Sequence, residues 1–342
     1  MAKRPQIKKT TIVDIARASG VSITTVSRIL NNKPDVAEDT RQRVLQLINE
    51  HGFTPQLAWQ QLRSGRSRFI ALHYPQDFNP HSQQIITSAA LGCEDAGYSL
   101  NLIANSLNDN DLLSIFRSGQ TDGVILMEIL TTDRRVELLK HNNLPFVMIG
   151  RCADNSGLSY VDVDIAKGIN DAIQYLNALG HRKIGFITLA PVKQEKEYGY
   201  STWAIKGYEE ACRQSGIFAL WQTVDLKTND AYSVTLEMLE QNPDMTAIVT
   251  PQEIGVPGII KAVRSKGLQV PGDISIIGLL DESISEIITP TLTTISFPAR
   301  DMGFEAVRIL IAHMHGTQTA PVQLLLRPEL NVRGSTGLAR SR

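Results

Sequence analysis

The sequence Gly20-Val21-Ser22-Ile23-Thr24-Thr25-Val26-Ser27-Arg28 sets short hydroxyl side chains and one arginine on a helical pattern behind a tight turn. The chemistry that such residues suit is the reading of base edges. Ile23 and Thr24, at the start of the helix, offer methyl and hydroxyl groups that match thymine methyls and mixed donor and acceptor edges. Arg28, one turn further on, has a planar guanidinium that can reach guanine O6 and N7 with two parallel hydrogen bonds. Thr25 and Ser27 are short donors suited to phosphate oxygens. Gly20 supplies the flexible corner and Val21 an apolar plug between two helices. A plain helical hairpin with a solvated polar face shares this spacing. It lacks the surrounding basic charge and the polar linker that follows.

Catalytic constellations are missing from the sequence. The seven histidines, among them His73, His81, His181, His313 and His315, stand in no HExxH context. His313 and His315 are two apart on a predicted helix, so they do not face together. There is no Walker loop, no GxGxxG and no GxSxG. The three cysteines, Cys93, Cys152 and Cys212, share no metal-ligand spacing, which fits a reducing compartment and no disulfide framework. No enzyme activity, cofactor or metal is expected.

The elements that must position the base-reading residues are three short helices. The periodicity predicts them over 12–19, 23–31 and 38–51, the last with Val44, Leu45, Leu47 and Ile48 inward. Pro55 opens a helical segment over 56–63, and Ser64-Gly65-Arg66-Ser67 reads as a linker. Beyond it, apolar strand candidates at 69–74, 99–104, 123–127, 146–150, 183–189, 247–250 and 275–279 alternate with helices, such as those at 83–96, 165–179, 204–215 and 257–266. This is the rhythm of an open parallel sheet. At about twice the length of one such unit, the segment predicts two lobes with a cleft between them.

Charge divides the chain in the same place. Residues 1–68 carry 12 Lys/Arg against 5 Asp/Glu, and the other 274 residues carry 22 against 30. A basic head on an acidic body points to a polyanion as the partner of the head. No run of 18 or more apolar residues suggests a membrane span, and the start lacks the apolar segment of a signal peptide. The expected location is the cytoplasm, on the nucleoid.

The segment TTIVDIARASGVSITTVSRILNNKPDVAEDTRQRVLQLINEHGFTPQLAWQQLRSGRS resembles the head of the lac repressor (LacI/GalR) family. Echoes continue through TDGVIL, LPFVMIGR, YLNALGHRKIGFI, VPGDISIIG, TPTLTTI, MGFEAV and LRPELNVRGST, so the likeness spans essentially the whole chain. The resemblance implies an all-α helix-turn-helix head joined to an α/β two-lobed body like a periplasmic binding protein. It implies a transcription regulator, a repressor of operator DNA, controlled by a small-molecule effector. By matching position, Ile23, Thr24 and Arg28 would read bases, and Thr11, Ser22, Thr25, Ser27 and Asn31 would meet phosphates. The segment 55–62 would be a hinge helix, with Ala58 and Leu62 on DNA and Leu62 wedged into a minor-groove step. Trp59 is unusual there and would pack either hinge on hinge or on the body. Ala37 replaces the usual serine cap of the third helix, at a cost of about 1 kcal/mol.

The same resemblance places an effector between the lobes, at the carboxyl ends of strands. Here the chain departs from the family. Ala204 stands where an arginine is usual, Leu280 where an aspartate is, and Gln252-Glu253 replaces Asn-Asp. The lining is expected to include Phe78, Ser82, Lys167, Trp203, Tyr232, Gln252, Asp281 and Phe297. It reads as more apolar than usual. The effector is expected to be a sugar or sugar derivative, the alternatives being a more hydrophobic or nucleoside-like ligand, or none.

The expected divisions are a head at 1–54, a hinge and linker at 55–67, a first lobe from 68–178 with 297–325, and a second from 179–296 with 326–342. A hinge wedge needs two copies at the centre of a pseudopalindrome, so a homodimer is expected. Residues 337–342 carry no leucine heptads, which sets a tetramer aside.

Overall fold

The computed structural model describes residues 12–30, 33, 35–50, 66–74, 80–104, 108–190, 192–193, 196–225, 228–279 and 282–340. The chain falls into two compact units divided between Ser67 and Arg68.

In the head, α1 (Ile12–Ser19), α2 (Ile23–Leu30) and α3 (Glu38–Glu50) form around one small core. Ile15, Ala16, Val26, Ile29 and Val44 are buried there, with Val21, Leu30, Val36 and Ile48 packed at its edge. Each large member contributes about 1.5–3 kcal/mol by leaving water. Gly20 has φ +67°, the left-handed region in which a side chain is strained, so the α1–α2 corner needs it. Leu45, expected inward, is 44% exposed. It follows Val44 by 100°, and the narrow core of a three-helix head takes only one stripe of α3.

The second unit holds two six-stranded sheets. Along the chain come β1 (Phe69–His73), α4 (Pro80–Asp95), β2 (Ser99–Ile103), α5 (Asp109–Arg117), β3 (Gly123–Leu126), α6 (Arg134–His141), β4 (Phe146–Ile149) and β5 (Tyr160–Val163). Next are α7 (Ile165–Ala178), β6 (Ile184–Leu189), a hairpin of β7 (Val192–Lys193) and β8 (Lys196–Glu197), α8 (Gly199–Ser215), β9 (Leu220–Val224), α9 (Thr228–Gln241) and β10 (Ala247–Thr250). A 3-10 turn (Glu253–Gly255) leads to α10 (Val256–Ser265), β11 (Ser275–Gly278), α11 (Glu282–Ile287), β12 (Thr293–Ile295), α12 (Ala299–Met314), β13 (Gln323–Leu326) and β14 (Leu330–Asn331).

The first sheet runs β13-β5-β4-β3-β1-β2, all parallel. The second runs β14-β12-β11-β10-β6-β9, parallel except for β14 on β12. Central strands such as Gly123–Leu126, Ala247–Thr250 and Ser275–Gly278 are buried along their whole length, as helices on both faces require.

The chain passes between the lobes at Asp164, between β12 and α12, and between β13 and β14. The first passage corrects the expected lobe boundary at 178. α7 packs on α8 and against β10, β12 and β14, so it belongs to the second lobe. Gly207 makes that packing close, since a Cβ there would stand 2.5 Å from the Ala166 Cα. Asp164 caps α7 by accepting from the Lys167 amide. α12 returns to the first lobe, on α4 and β3 to β5.

Candidate nucleic-acid interface and effector cleft

In the head the buried stripe of α2 determines what the other side shows. Val26 and Ile29 are inside, which turns Ile23, Thr24 and Arg28 to solvent, with Ile23 43% exposed. Ser22 caps the helix: its Oγ accepts from the Thr25 amide at 3.1 Å and lies 2.9 Å from Thr25 Oγ1. Ser27 is half-buried. Arg28 pairs with Asp35 at 3.0 Å, both side chains more than half exposed. An exposed pair of this kind is worth about 0–1 kcal/mol, so breaking it costs Arg28 little. Thr11, Asn31, Ala58 and Leu62 lie outside the residues whose side chains are described.

Between the lobes, side chains converge from both sheets. From the first lobe come His81 at the start of α4, Glu128 after β3, Arg151 after β4 and Asp162 in β5. From the second come Tyr200 and Trp203 in the first turns of α8, then Gln252 and Glu253 after β10. Phe297 stands where the chain crosses back. Arg151 Nε is 3.5 Å from Asp162 Oδ2, and the Arg151 guanidinium lies 5.0 Å from the centre of the Trp203 ring, across the lobe boundary. Lys206 Nζ is 4.9 Å from the same ring. His81 Nε2 is 3.4 Å from Glu253 Oε2, and its ring is 4.7 Å from that of Phe297. Tyr200 donates to the Pro251 carbonyl at 3.1 Å.

Burial dominates the electrostatics. It pushes the Asp162 carboxyl up to about 7, against the pull of Arg151. It also raises Glu128, against Arg135, and Tyr200, where the charges of Asp162 and Glu128 add to the effect. Trp203 Nε1 and Gln252 Nε2 are buried and meet no hydrogen-bond acceptor within the described residues. A buried donor left in that state costs about 1–3 kcal/mol, so both are suited to acceptor oxygens of a bound molecule.

Of the expected effector residues, Trp203, Gln252 and Phe297 are brought together, and Ser82 is buried beside His81. Lys167 is not in the group. It pairs with Asp171 one turn along α7, with Arg327 3.6 Å from that same carboxylate, on a solvated face. Tyr232 is not there either. Ala231, Thr235, Met238 and Leu239 take the inner stripe of α9, which turns Tyr232 against α10, with Lys261 over its ring at 5.2 Å. Phe78, Leu280 and Asp281 lie outside the described residues. The cleft is also more polar than the departures at Ala204 and Leu280 suggested, because His81, Glu128, Arg151 and Asp162 were not among the residues expected to line it. Their signal was position: Glu128 and Arg151 follow apolar strand runs, where side chains emerge at the carboxyl edge of a parallel sheet. No cluster of metal ligands occurs among the described residues.

A model of bacterial regulatory proteins, lacI family, matches residues 11–56, and a periplasmic binding protein-like domain matches 173–336. The HTH-type transcriptional regulator RegA of Clostridium saccharobutylicum is 30% identical over 335 residues, 96% of this chain and 99% of its own length. The chain belongs to the lacI family. A lacI-family protein is a transcription regulator with a DNA-binding head, not an enzyme. Among solved structures, the transcriptional regulator CelR–cellobiose complex is 26% identical with a TM-score of 0.72, covering 96% of this chain and 100% of that one. The lac repressor dimer bound to operator and the anti-inducer ONPF aligns at a TM-score of 0.86 and 22% identity, with the same coverage, and shows the shared fold. Among the described residues of this lacI-family chain no helix is long and apolar enough to cross a membrane.

Proposed function

We propose that this chain represses transcription as a homodimer on a pseudopalindromic operator, with Ile23, Thr24 and Arg28 reading bases and Ser22, Thr25 and Ser27 meeting phosphates. Thr11, Asn31, Ala58 and Leu62 complete the DNA contacts, the last two from a hinge between head and body. Its effector is a polyhydroxylated small molecule, a sugar or sugar derivative, held in the cleft. The observation that carries the effector reading is the lining itself. The Arg151–Asp162 pair offers both donors and an acceptor, while Trp203 Nε1 and Gln252 Nε2 hold buried, unused donors. Hydroxyl groups satisfy both kinds, and an apolar ligand would leave them stranded. The cellobiose in the CelR complex is a molecule of this kind.

The test is a thermal-shift and calorimetric screen of the full-length protein with mono- and disaccharides, sugar acids and nucleosides. A ligand at a hundred times its Kd should stabilise the fold by about 2.7 kcal/mol. Binding of an aryl or alkyl compound in preference to every polyol would overturn the effector reading.

A further inference from the structure

The two lobes are also joined by main chain, at a place separate from the three crossings. Beyond β8, the second lobe lays its backbone antiparallel to the loop that follows β3 in the first. Leu130 and Tyr198 form an antiparallel bridge. The Thr131 amide donates to the Glu197 carbonyl at 2.9 Å, and the Gly199 amide donates to the Ile129 carbonyl at 3.3 Å. Side chains repeat the connection. Glu197 accepts from Thr131 Oγ1 through Oε2 and from Thr202 Oγ1 through Oε1, both at 3.0 Å. One carboxylate thus holds a hydroxyl from each lobe.

The receiving loop is fixed to its own lobe. The Ala153 amide donates to the Thr131 carbonyl at 2.9 Å. Arg135 grips the Asp133 carboxylate with two nitrogens, Nε at 3.0 Å and Nη2 at 2.6 Å. The same Nη2 donates to the carbonyls of Met127 at 3.1 Å and Glu128 at 2.9 Å. Asp133 in turn accepts from the Leu130 amide at 3.2 Å. Glu128 sits at φ +54°, a conformation costly for any residue but glycine, which persists only when neighbours impose it. Arg135 and Asp133 supply that imposition. A strand edge with unpaired amides and carbonyls attracts another strand, and here the loop edge meets one from within the same chain.

We propose that Glu197 and the segment after it are an interlobe clasp, and that Arg135 is the positioning residue that shapes its receiving edge. Every bond in the clasp runs between the chain's own atoms. Closure on this side of the cleft is therefore a property of the protein, and an opening motion has to break main-chain hydrogen bonds here before the lobes part.

Amide hydrogen exchange on the full-length protein, without any added ligand, tests this. Thr131 and Gly199 should exchange at least about 100-fold more slowly than an open loop. Glu197→Ala should speed both together by about tenfold, while amides of β3 and β6 keep their rates. Arg135→Lys keeps the charge but loses the fork and should give the same paired acceleration. Loop-like exchange of Thr131 and Gly199 in the unmodified protein would overturn the clasp. So would a response of Gly199 alone to Glu197→Ala, because a frayed helix end moves by itself and a clasp opens on both sides.

Discussion

His81 and Glu253 face each other across the lobe boundary, with Nε2 and Oε2 3.4 Å apart and little of either side chain exposed. The first opens α4 of one lobe, and the second follows β10 of the other. Phe297 closes one side of the pair, its ring 4.7 Å from that of His81. Replacing His81 by Leu takes this contact away from a buried carboxylate. The expected cost is about 1–3 kcal/mol, read as a lower midpoint in urea unfolding. An unchanged midpoint would show that the pair adds nothing to the fold.

Arg28→Ala should lower discrimination by about 1–3 kcal/mol at one base pair in each half-site. Asp35→Ala frees the same guanidinium and should raise affinity for random DNA by no more than about 1 kcal/mol. Fluorescence anisotropy on operator and on random duplex, at one salt concentration, separates the two. If Arg28→Ala weakens both duplexes equally, Arg28 touches phosphate alone.

Asp162 should make stability depend on pH with an unusual sign. Its carboxyl, raised to about 7 by burial, holds a proton more tightly in the folded protein than in the unfolded chain. Its contribution is full below the ordinary carboxylate pKa of about 4 and is lost as the pH rises through about 7. Asp162→Asn should flatten melting temperature against pH across that window and should melt higher than the unmodified protein at pH 8. A parallel pair of curves would mean that Arg151 already compensates the charge.

His181 works in the opposite direction. It is buried between Thr246 Oγ1 at 2.8 Å and the Gly337 carbonyl at 3.0 Å. Burial lowers its pKa below the ordinary value, the Gly337 bond opposes, and Arg182 adds to the lowering. A depressed histidine pKa means that the unfolded chain takes up the proton first, so stability falls as the pH drops below about 6.5. His181→Gln should remove that acid limb while leaving the Asp162 limb in place. Guanidinium titrations at pH 5 and pH 7 measure both.

Two glycines mark where helices touch. A Cβ on Gly303 would meet Ser88 Oγ at 2.1 Å and the Ile85 carbonyl at 2.4 Å, between α12 and α4. On Gly207 it would meet Ala166, between α8 and α7. Either change to Ala should cost about 1–3 kcal/mol by overpacking, measured as the shift in unfolding midpoint. Both sites meet backbone that has no rotamer to change, the Ile85 carbonyl and Ala89 amide at Gly303 and the Ala166 Cα at Gly207.

What the sequence made legible was local. Gly20, the cap at Ser22 and the spacing of Val26 and Ile29 act within a few residues of one another, so α1 and α2 could be read directly. Strands buried on both faces, such as Gly123–Leu126 and Ala247–Thr250, announce themselves as apolar runs. β5 did not, because Asp162 interrupts Tyr160-Val161 and Val163. β9 and β13 are edge strands with Trp221 and Leu325 partly in solvent, so their pattern is weak. The cleft was the least legible part. Its members are drawn from residues 81 to 297, and only folded strand ends bring them together. Lys167 and Tyr232 stand outside the converging group because helical phase over one turn decides between cleft and solvent, and no local signal sets that phase.

Both sheets of the body end on strands from the last part of the chain: β13 borders β5, and β14 borders β12. Neither lobe is a continuous stretch of sequence. During synthesis the head can close on its own contacts as soon as it leaves the ribosome. Each sheet of the body, by contrast, keeps an open edge until residues 323–331 have emerged. Loss of that short stretch would expose the flanks of β5 and β12 at once, and an exposed strand edge is where chains aggregate. The regulator therefore acquires its DNA-reading part early and its sensing part late, and a truncated product would carry the first without the second.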